Sequence, residues 1–373
     1  MAKEKAGKKS TPAPARTPTI AGLRGKIDRL DQELVRLMNE RAKIASEIGE
    51  LKNDSGISAY DPSREEEVLS RVLELSKGPL SPRCVRAVFR ELISGSRSLE
   101  KEMRVAYLGP AYSYSHLAAI HRFGQNVELV PVASIAAVFE EVNRRQTDYG
   151  LVPVENSTDG RVADTLDMFA RLRVRICGEV QLRIHHNLLG RCCRADVEEV
   201  YSRPQALSQC RNWLARHLPG ARTIEVTSTS TAAQLAQDKP GAAAIASVQA
   251  GVHYGLDVLA ADIEDVAGNL TRFAVIGEET APRSGNDKCS LMFEIEHRPG
   301  ALADAMQIFK RNRLNLTWIE SFPIARPEGG YMFFVELEGH EQDARVRKAI
   351  GALERKAVRL EVLGSYAKLA PVD

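Results

Sequence analysis

Leu23–Lys52, LRGKIDRLDQELVRLMNERAKIASEIGELK, carries apolar side chains at Leu23, Ile27, Leu30, Leu34, Leu37, Ile44, Ile48 and Leu51, and Ile20 extends the series backwards. Steps of mostly three and four residues place them on one stripe of a long helix. The heptad step between Leu37 and Ile44 lands on Arg41, the one polar interruption of the stripe. Burying an unpaired guanidinium is costly, so Arg41 marks either a polar register device or an anion site. Lys52 falls about 20° round the helix and about 16 Å along it from Arg41, so the two cations share a face and can bracket a small dianion. Arg24 lies about 26 Å before Arg41 and is rotated by roughly 100°. It reaches the same ligand only from a second, antiparallel copy of the helix. The alternative reading is that all three cations snorkel to water.

Working outward, the preceding MAKEKAGKKSTPAPARTPT (residues 1–19) is rich in Lys, Pro and Ala and reads as a disordered tail. Asp61-Pro62 followed by Ser63-Arg64-Glu65-Glu66 opens a second helix near residue 62, which Gly78-Pro79 closes. A third helix runs from Pro82 to about Glu100, completing an all-α unit over residues 20–102. From Met103 the pattern alternates between short strands (MRVAYLG, VELVPV, YGLVPVEN, EEVYS, AAAIAS) and helices over 116–123, 134–145, 162–172 and 206–217, which predicts an α/β unit over 103–280. APRSGNDK (281–288) reads as a linker. The remainder, 289–367, gives strand, helix, strand, strand, helix, strand, a ferredoxin-like α+β unit.

The 373 residues, 44% apolar, are long enough for two or three cores. Fifty-one basic residues against 49 acidic ones leave a net charge of +2, so no global charge points to nucleic acid. No apolar run approaches the roughly 18 residues of a membrane span. The six cysteines lack C-x-x-C spacing and no secretory leader is visible, from which we expect reduced thiols and a cytoplasmic setting. Neither a cofactor nor a metal is expected: the His185-His186 pair has no Cys, Asp or Glu at ligand spacing.

The long helix together with YDPSREEEVL (60–69) resembles the all-helical chorismate mutase family over residues 20 to about 100. The resemblance implies that Arg24, Arg41, Lys52, Asp61, Arg64, Glu65, Ser96 and Glu100 contact chorismate, with Arg24 lent by a partner subunit. It implies that the three arginines hold carboxylates, Lys52 donates to the ether oxygen, and Asp61 and Glu65 engage the ring hydroxyl region. Some members carry Gln at position 100. Glu100 must be protonated to donate in its place, which requires a raised pKa and predicts mutase activity that declines as pH rises through neutrality.

YLGPAYSYSHLAA, VPVENSTDG, YSRPQALSQC and NLTRFAVIG each put small hydroxyl or amide side chains at a strand-to-helix junction, where they read as helix caps or as ligand sites. In this order they resemble the prephenate dehydratase family, over residues 104 to about 280. That family folds as two α/β lobes around a cleft, like a periplasmic-type binding protein. The resemblance implies that Thr271 supplies or positions the proton for the departing hydroxide. It places Ser115, Glu155, Asn156, Gln205, Ser230 and Thr231 in the cleft for prephenate. Tyr112 stands where relatives usually have Gly; its side chain either narrows the pocket or projects to solvent.

His297-Arg298-Pro299-Gly300-Ala301-Leu302 and Trp318-Ile319-Glu320-Ser321-Phe322-Pro323 resemble the two signatures of the ACT regulatory domain in phenylalanine-inhibited dehydratases. The resemblance implies that Gly300, Ala301, Leu302, Glu320 and Ser321 bind phenylalanine between paired domains, with Phe322 where relatives commonly carry Arg. The expectation is thus a bifunctional, cofactor-free homodimer or larger homo-oligomer that converts chorismate through prephenate to phenylpyruvate. A dehydratase preferring arogenate, and a sensing protein with catalysis lost, are the rival expectations.

Overall fold

A computed structural model describes residues 19–55, 60–324 and 330–372. The N-terminal tail expected to be disordered lies outside the described residues, apart from Thr19.

Three helices open the chain, α1 (Ile20–Ser55), α2 (Pro62–Leu75) and α3 (Pro82–Glu100). Pro62 and Pro82 sit in first turns, where their missing N–H costs nothing, and Asp61 and Ser81 accept from the Arg64 and Cys84 amides as N-caps. α1 packs along α3, and its apolar stripe is left open: Ile20, Leu30 and Leu34 are 73%, 64% and 55% exposed. The second helix docks onto the next unit through its approach residue. Tyr60 is buried between the rings of Phe123 and Tyr149, at 5.2 and 4.8 Å, so a residue of the helical segment belongs to the α/β core.

The middle segment forms two lobes. The first contains β1 (Arg104–Leu108), α4 (Tyr114–Phe123), β2 (Glu128–Val132), α5 (Ile135–Asn143), β3 (Tyr149–Asn156), β4 (Gly160–Arg161), α6 (Ala163–Arg171) and β5 (Arg175–Arg183). The chain then crosses to the second lobe, β6 (Asn187–Gly190), β7 (Glu199–Ser202), α7 (Pro204–Gln209), α8 (Arg211–His217), β8 (Arg222–Glu225), α9 (Thr229–Asp238), β9 (Ala242–Ala246), α10 (Val248–Tyr254) and β10 (Asp257–Ala260). It returns as β11 (Leu270–Gly277), inserted between β3 and β5 in the order β2-β1-β3-β11-β5; the second sheet runs β10-β6-β9-β7-β8. The single helix expected over 206–217 is two helices broken at Cys210.

The last segment, β12 (Asp287–Ile295), α11 (Ala301–Arg311), β13 (Leu316–Pro323), β14 (Tyr331–Glu338), α12 (Ala344–Glu354) and β15 (Ala357–Ala367), is an antiparallel sheet in the order β13-β14-β12-β15. Alternation along β12 divides its contacts, because successive side chains face opposite ways. Cys289, Leu291 and Phe293 pack under α11 and α12, while Met292 joins a core shared with the first lobe. Both faces are therefore covered. The segment expected as a linker is held: Ala281 is buried, β12 already begins at Asp287, and Asp287 accepts from the Ser284 and Gly285 amides. Among the described residues no helix is long and apolar enough to cross a membrane.

Candidate functional sites

Two polar clusters are built on this frame. In the first, Arg41 of α1 donates from Nη1 to Ser96 Oγ of α3 at 2.9 Å, and Ser96 donates on to Leu92 O. One α1 turn beyond Ile44, Gly49 lacks the Cβ that would collide with Glu100 Cγ, which lets the Glu100 carboxyl lie against α1. Glu100 Oε2 is buried with no hydrogen-bond partner among the described residues. Burial raises the Glu100 pKa above the ordinary carboxylate value, against a lowering pull from Lys52 and then Arg97. Arg41, Lys52, Ser96 and Glu100 therefore share one face between α1 and α3.

Of the other predicted residues of the helical unit, Glu65 lies near enough to Glu100 to help raise its pKa, and Asp61, Arg64 and Arg24 stand apart. Glu65 is ion-paired with buried Arg97, whose Nη2 also donates to Phe123 O at 2.6 Å in the neighbouring unit. Arg97 carries no motif and went unnoticed in the sequence. Asp61 caps α2, and Arg64 is 54% exposed and pairs with Glu67. Arg24 is exposed on α1.

The second cluster lies where β3 and β11 pair, with Thr271 opposite Asn156 and Arg272 opposite Glu155. Strand alternation sends these two pairs to opposite faces. On the first face the direction of every bond can be worked out from one fixed point. Asn156 Oδ1 accepts from the Thr158 and Asp159 amides, which only donate, so Asn156 Nδ2 must face Thr271 Oγ1 (2.8 Å) and Asn269 Oδ1 (2.9 Å). Asn269 Nδ2 then donates to Gln209 Oε1, leaving His186 Nε2 to donate to that same oxygen at 2.8 Å. Burial lowers the His186 pKa, which favours the neutral ring this scheme needs. Thr271 accepts from Asn156, so its own O–H remains to be donated elsewhere.

Asn269, Gln209 and His186 were not singled out in the sequence. Gln205, which was, lies exposed one turn before Gln209 on α7. Ser230 at the start of α9 donates to Ala111 O at 2.6 Å, joining the lobes, while Thr231 is tied to its cap residue Ser228. Ser115 is buried in the first turn of α4. Tyr112 has φ +62, the left-handed conformation that explains a glycine preference there. Its ring does not project freely to solvent: it stacks on His253 of the second lobe at 3.8 Å.

On the opposite face, Arg272 Nη1 donates to Glu155 Oε2 (2.8 Å) and Nη2 to both oxygens of Glu336 on β14 (2.6 and 2.8 Å). Lys288 pairs with Glu179 at 2.8 Å, Tyr366 donates to Glu336, and the Trp318 ring lies 5.4 Å from the Arg272 guanidinium. Glu155 thus belongs to a junction network with the C-terminal unit. In that unit Gly300, at φ +83, caps α11, followed by buried Ala301 and half-exposed Leu302. Arg161 Nη1 of β4 donates to Glu320 Oε2 and Ser321 O, both at 2.9 Å. Phe322, part-exposed, packs against the core shared with the first lobe. Asp262 and Glu264, distant in sequence, meet His185 at 3.3 and 3.1 Å, so the fold gives that histidine the acidic neighbours at ligand spacing that the sequence did not show.

Residues 23–101 match the family of type II chorismate mutases, 105–281 that of prephenate dehydratases, and 290–355 the ACT domain. A bifunctional chorismate mutase/prephenate dehydratase of Aquifex aeolicus is 43% identical over 93% of this chain and 97% of its own length. The corresponding protein of Stutzerimonas stutzeri is 41% identical over 94% and 98%. Among solved structures, a prephenate dehydratase from Arthrobacter aurescens in complex with L-Phe superposes with a TM-score of 0.67 at 31% identity, covering 71% of this chain and 90% of that one.

Proposed function

Because the chain belongs to the bifunctional chorismate mutase/prephenate dehydratase family, we propose that its two chemistries are divided between the α1–α3 cluster and the Asn156–Thr271 cluster. The enzyme rearranges chorismate to prephenate and then removes water and carbon dioxide from prephenate to give phenylpyruvate, with phenylalanine as the effector of its ACT domain.

The rearrangement is intramolecular and needs no nucleophile, so holding the folded conformer and stabilising charge on the breaking ether bond suffice. Arg41 and Ser96 anchor a carboxylate, and Lys52 and protonated Glu100 donate to the ether oxygen. Arg24 comes from a second copy, docked through the open stripe of α1, and Asp61 and Arg64 sit at the rim. Glu65, held by Arg97, keeps one oxygen for the ring hydroxyl. The working unit is a homodimer or larger assembly in the cytoplasm.

In dehydration the departing hydroxide must be protonated as the carboxylate leaves. Thr271 donates a hydrogen bond from its O–H to that oxygen while Asn156 holds the hydroxyl in place, and solvent water returns to Thr271 Oγ1 the proton that passes along this bond; Ser115, Ser230 and Thr231 line the cleft walls and Gln205 its mouth. Glu155 acts through Arg272. Phenylalanine is taken up around Gly300, Ala301 and Leu302 with Glu320 and Ser321.

The reading rests on the one-directional hydrogen bond from Asn156 to Thr271, which leaves a proton free to give. Its test is Thr271→Val, assayed separately with chorismate and prephenate, each with and without phenylalanine. Dehydration is expected to fall by about a hundredfold or more, the usual worth of a positioned proton donor, with mutase turnover unchanged. Equal loss of both activities would defeat the assignment.

A further inference from the structure

A cavity of about 470 Å³, open to solvent on one side, lies where the helical and α/β units meet, walled by α2 and α3, by α4 and β5, and by the residues that follow β15. The chain end is fixed there as a strand-like extension: Arg183 N donates to Val372 O and Val372 N to Gln181 O, both at 2.8 Å. Of the residues assigned to the two chemistries only Glu65 lines it, on the side where Arg97 holds its carboxylate; Arg41, Lys52, Ser96 and Glu100 do not, nor do Asn156 and Thr271.

Its walls hold five arginines and three glutamates, and each glutamate is already engaged: Glu66 by Arg86, Glu65 by Arg97 and Glu179 by Lys288. Arg122 has no ion pair among the described residues. Its Nε donates to the Tyr60 hydroxyl at 2.5 Å, and its Nη2 is buried without a hydrogen-bond partner. Arg97, 4% exposed, likewise leaves Nε buried and unpartnered. Arg90 has as its carboxylate partner the adjacent, part-exposed Glu91. Buried guanidinium N–H groups without acceptors are costly, and an anion would satisfy them. Leu69, Ile93, Phe123 and Val180 supply an apolar wall beside these cations, and the volume suits a small organic molecule.

We infer that this cavity binds a small aromatic carboxylate, its charge on the Arg90–Arg122 side and its ring against Ile93 and Leu69. A ligand there touches elements of the mutase unit, the dehydratase unit and the chain end at once, and so stabilises their docking.

Calorimetric titration of the full-length protein with benzoate, and with benzamide as its uncharged counterpart, tests the site. Benzoate is expected to bind and benzamide not. Arg90→Gln should weaken benzoate by about tenfold, the worth of a charged hydrogen bond, and Ala87→Trp, which fills the cavity, should abolish binding. Both turnovers and the thermal midpoint are expected to stay at their wild-type values in both variants, which separates this site from the catalytic assignments. No heat with benzoate, an isotherm indifferent to both substitutions, or equal binding of benzamide would overturn it.

Discussion

Glu100 lies against Gly49 with one carboxyl oxygen buried and unpartnered, so the protonated acid is the form its surroundings favour. Its pKa is raised, hence the active proton is fully present at low pH and lost as pH rises through that raised value. Mutase kcat/KM should decline across this range, and Glu100→Gln should abolish the decline while retaining the hydrogen-bond donor. An identical pH profile for the two proteins would refute the role. The position of Glu100 was readable from the motif around it, as was that of Thr271. Arg97, Asn269 and Gln209 were not, because what distinguishes them is burial and a partner 32 to 113 residues away. Gln205 and Gln209 lie one turn apart on α7, and only packing shows that Gln209 is the one that joins the network.

The α1 helix was legible from its stripe alone, and the stripe now defines a surface. Leu30 and Leu34 are exposed in the single chain, and a row of this length without cover signals an interface. Leu34→Glu should dissociate the proposed dimer in sedimentation velocity and reduce mutase turnover by at least about tenfold, since a buried unpaired carboxylate costs several kcal/mol. Dehydratase turnover should persist; an intact dimer would count against α1 as the contact. Strand β12 was legible for a related reason, its two covered faces showing as the consecutive apolar residues Leu291, Met292 and Phe293. The break between α7 and α8 was not. No Gly or Pro marks Cys210, and α8 is started by the Asp265 carboxylate, which accepts from the Asn212 and Trp213 amides at 2.8 and 2.9 Å. A cap supplied from more than 50 residues away leaves no local trace.

At the scale of the whole molecule, the order of three units could be read from the sequence and their attachment could not. Tyr60 enters the core of the next unit, and Arg272 and Lys288 form buried pairs with Glu336 and Glu179 across the ACT junction. Removing one member strands its partner in a low-dielectric site. Glu336→Gln should therefore lower stability by about 3 kcal/mol, read as an earlier urea midpoint for the dehydratase and ACT units. An unchanged midpoint would show that water reaches the junction. Close by, Gly364, at φ +147, brings β15 so near β5 that a side chain would overlap the Ile176 carbonyl oxygen. The regulatory and catalytic sheets thus touch main chain to main chain, and β5 pairs directly with β11, Leu182 facing Thr271. Main chain has no rotamers to absorb a displacement, so this seam is stiff: a shift of the ACT sheet reaches the strand that carries Thr271 with little slack to take it up.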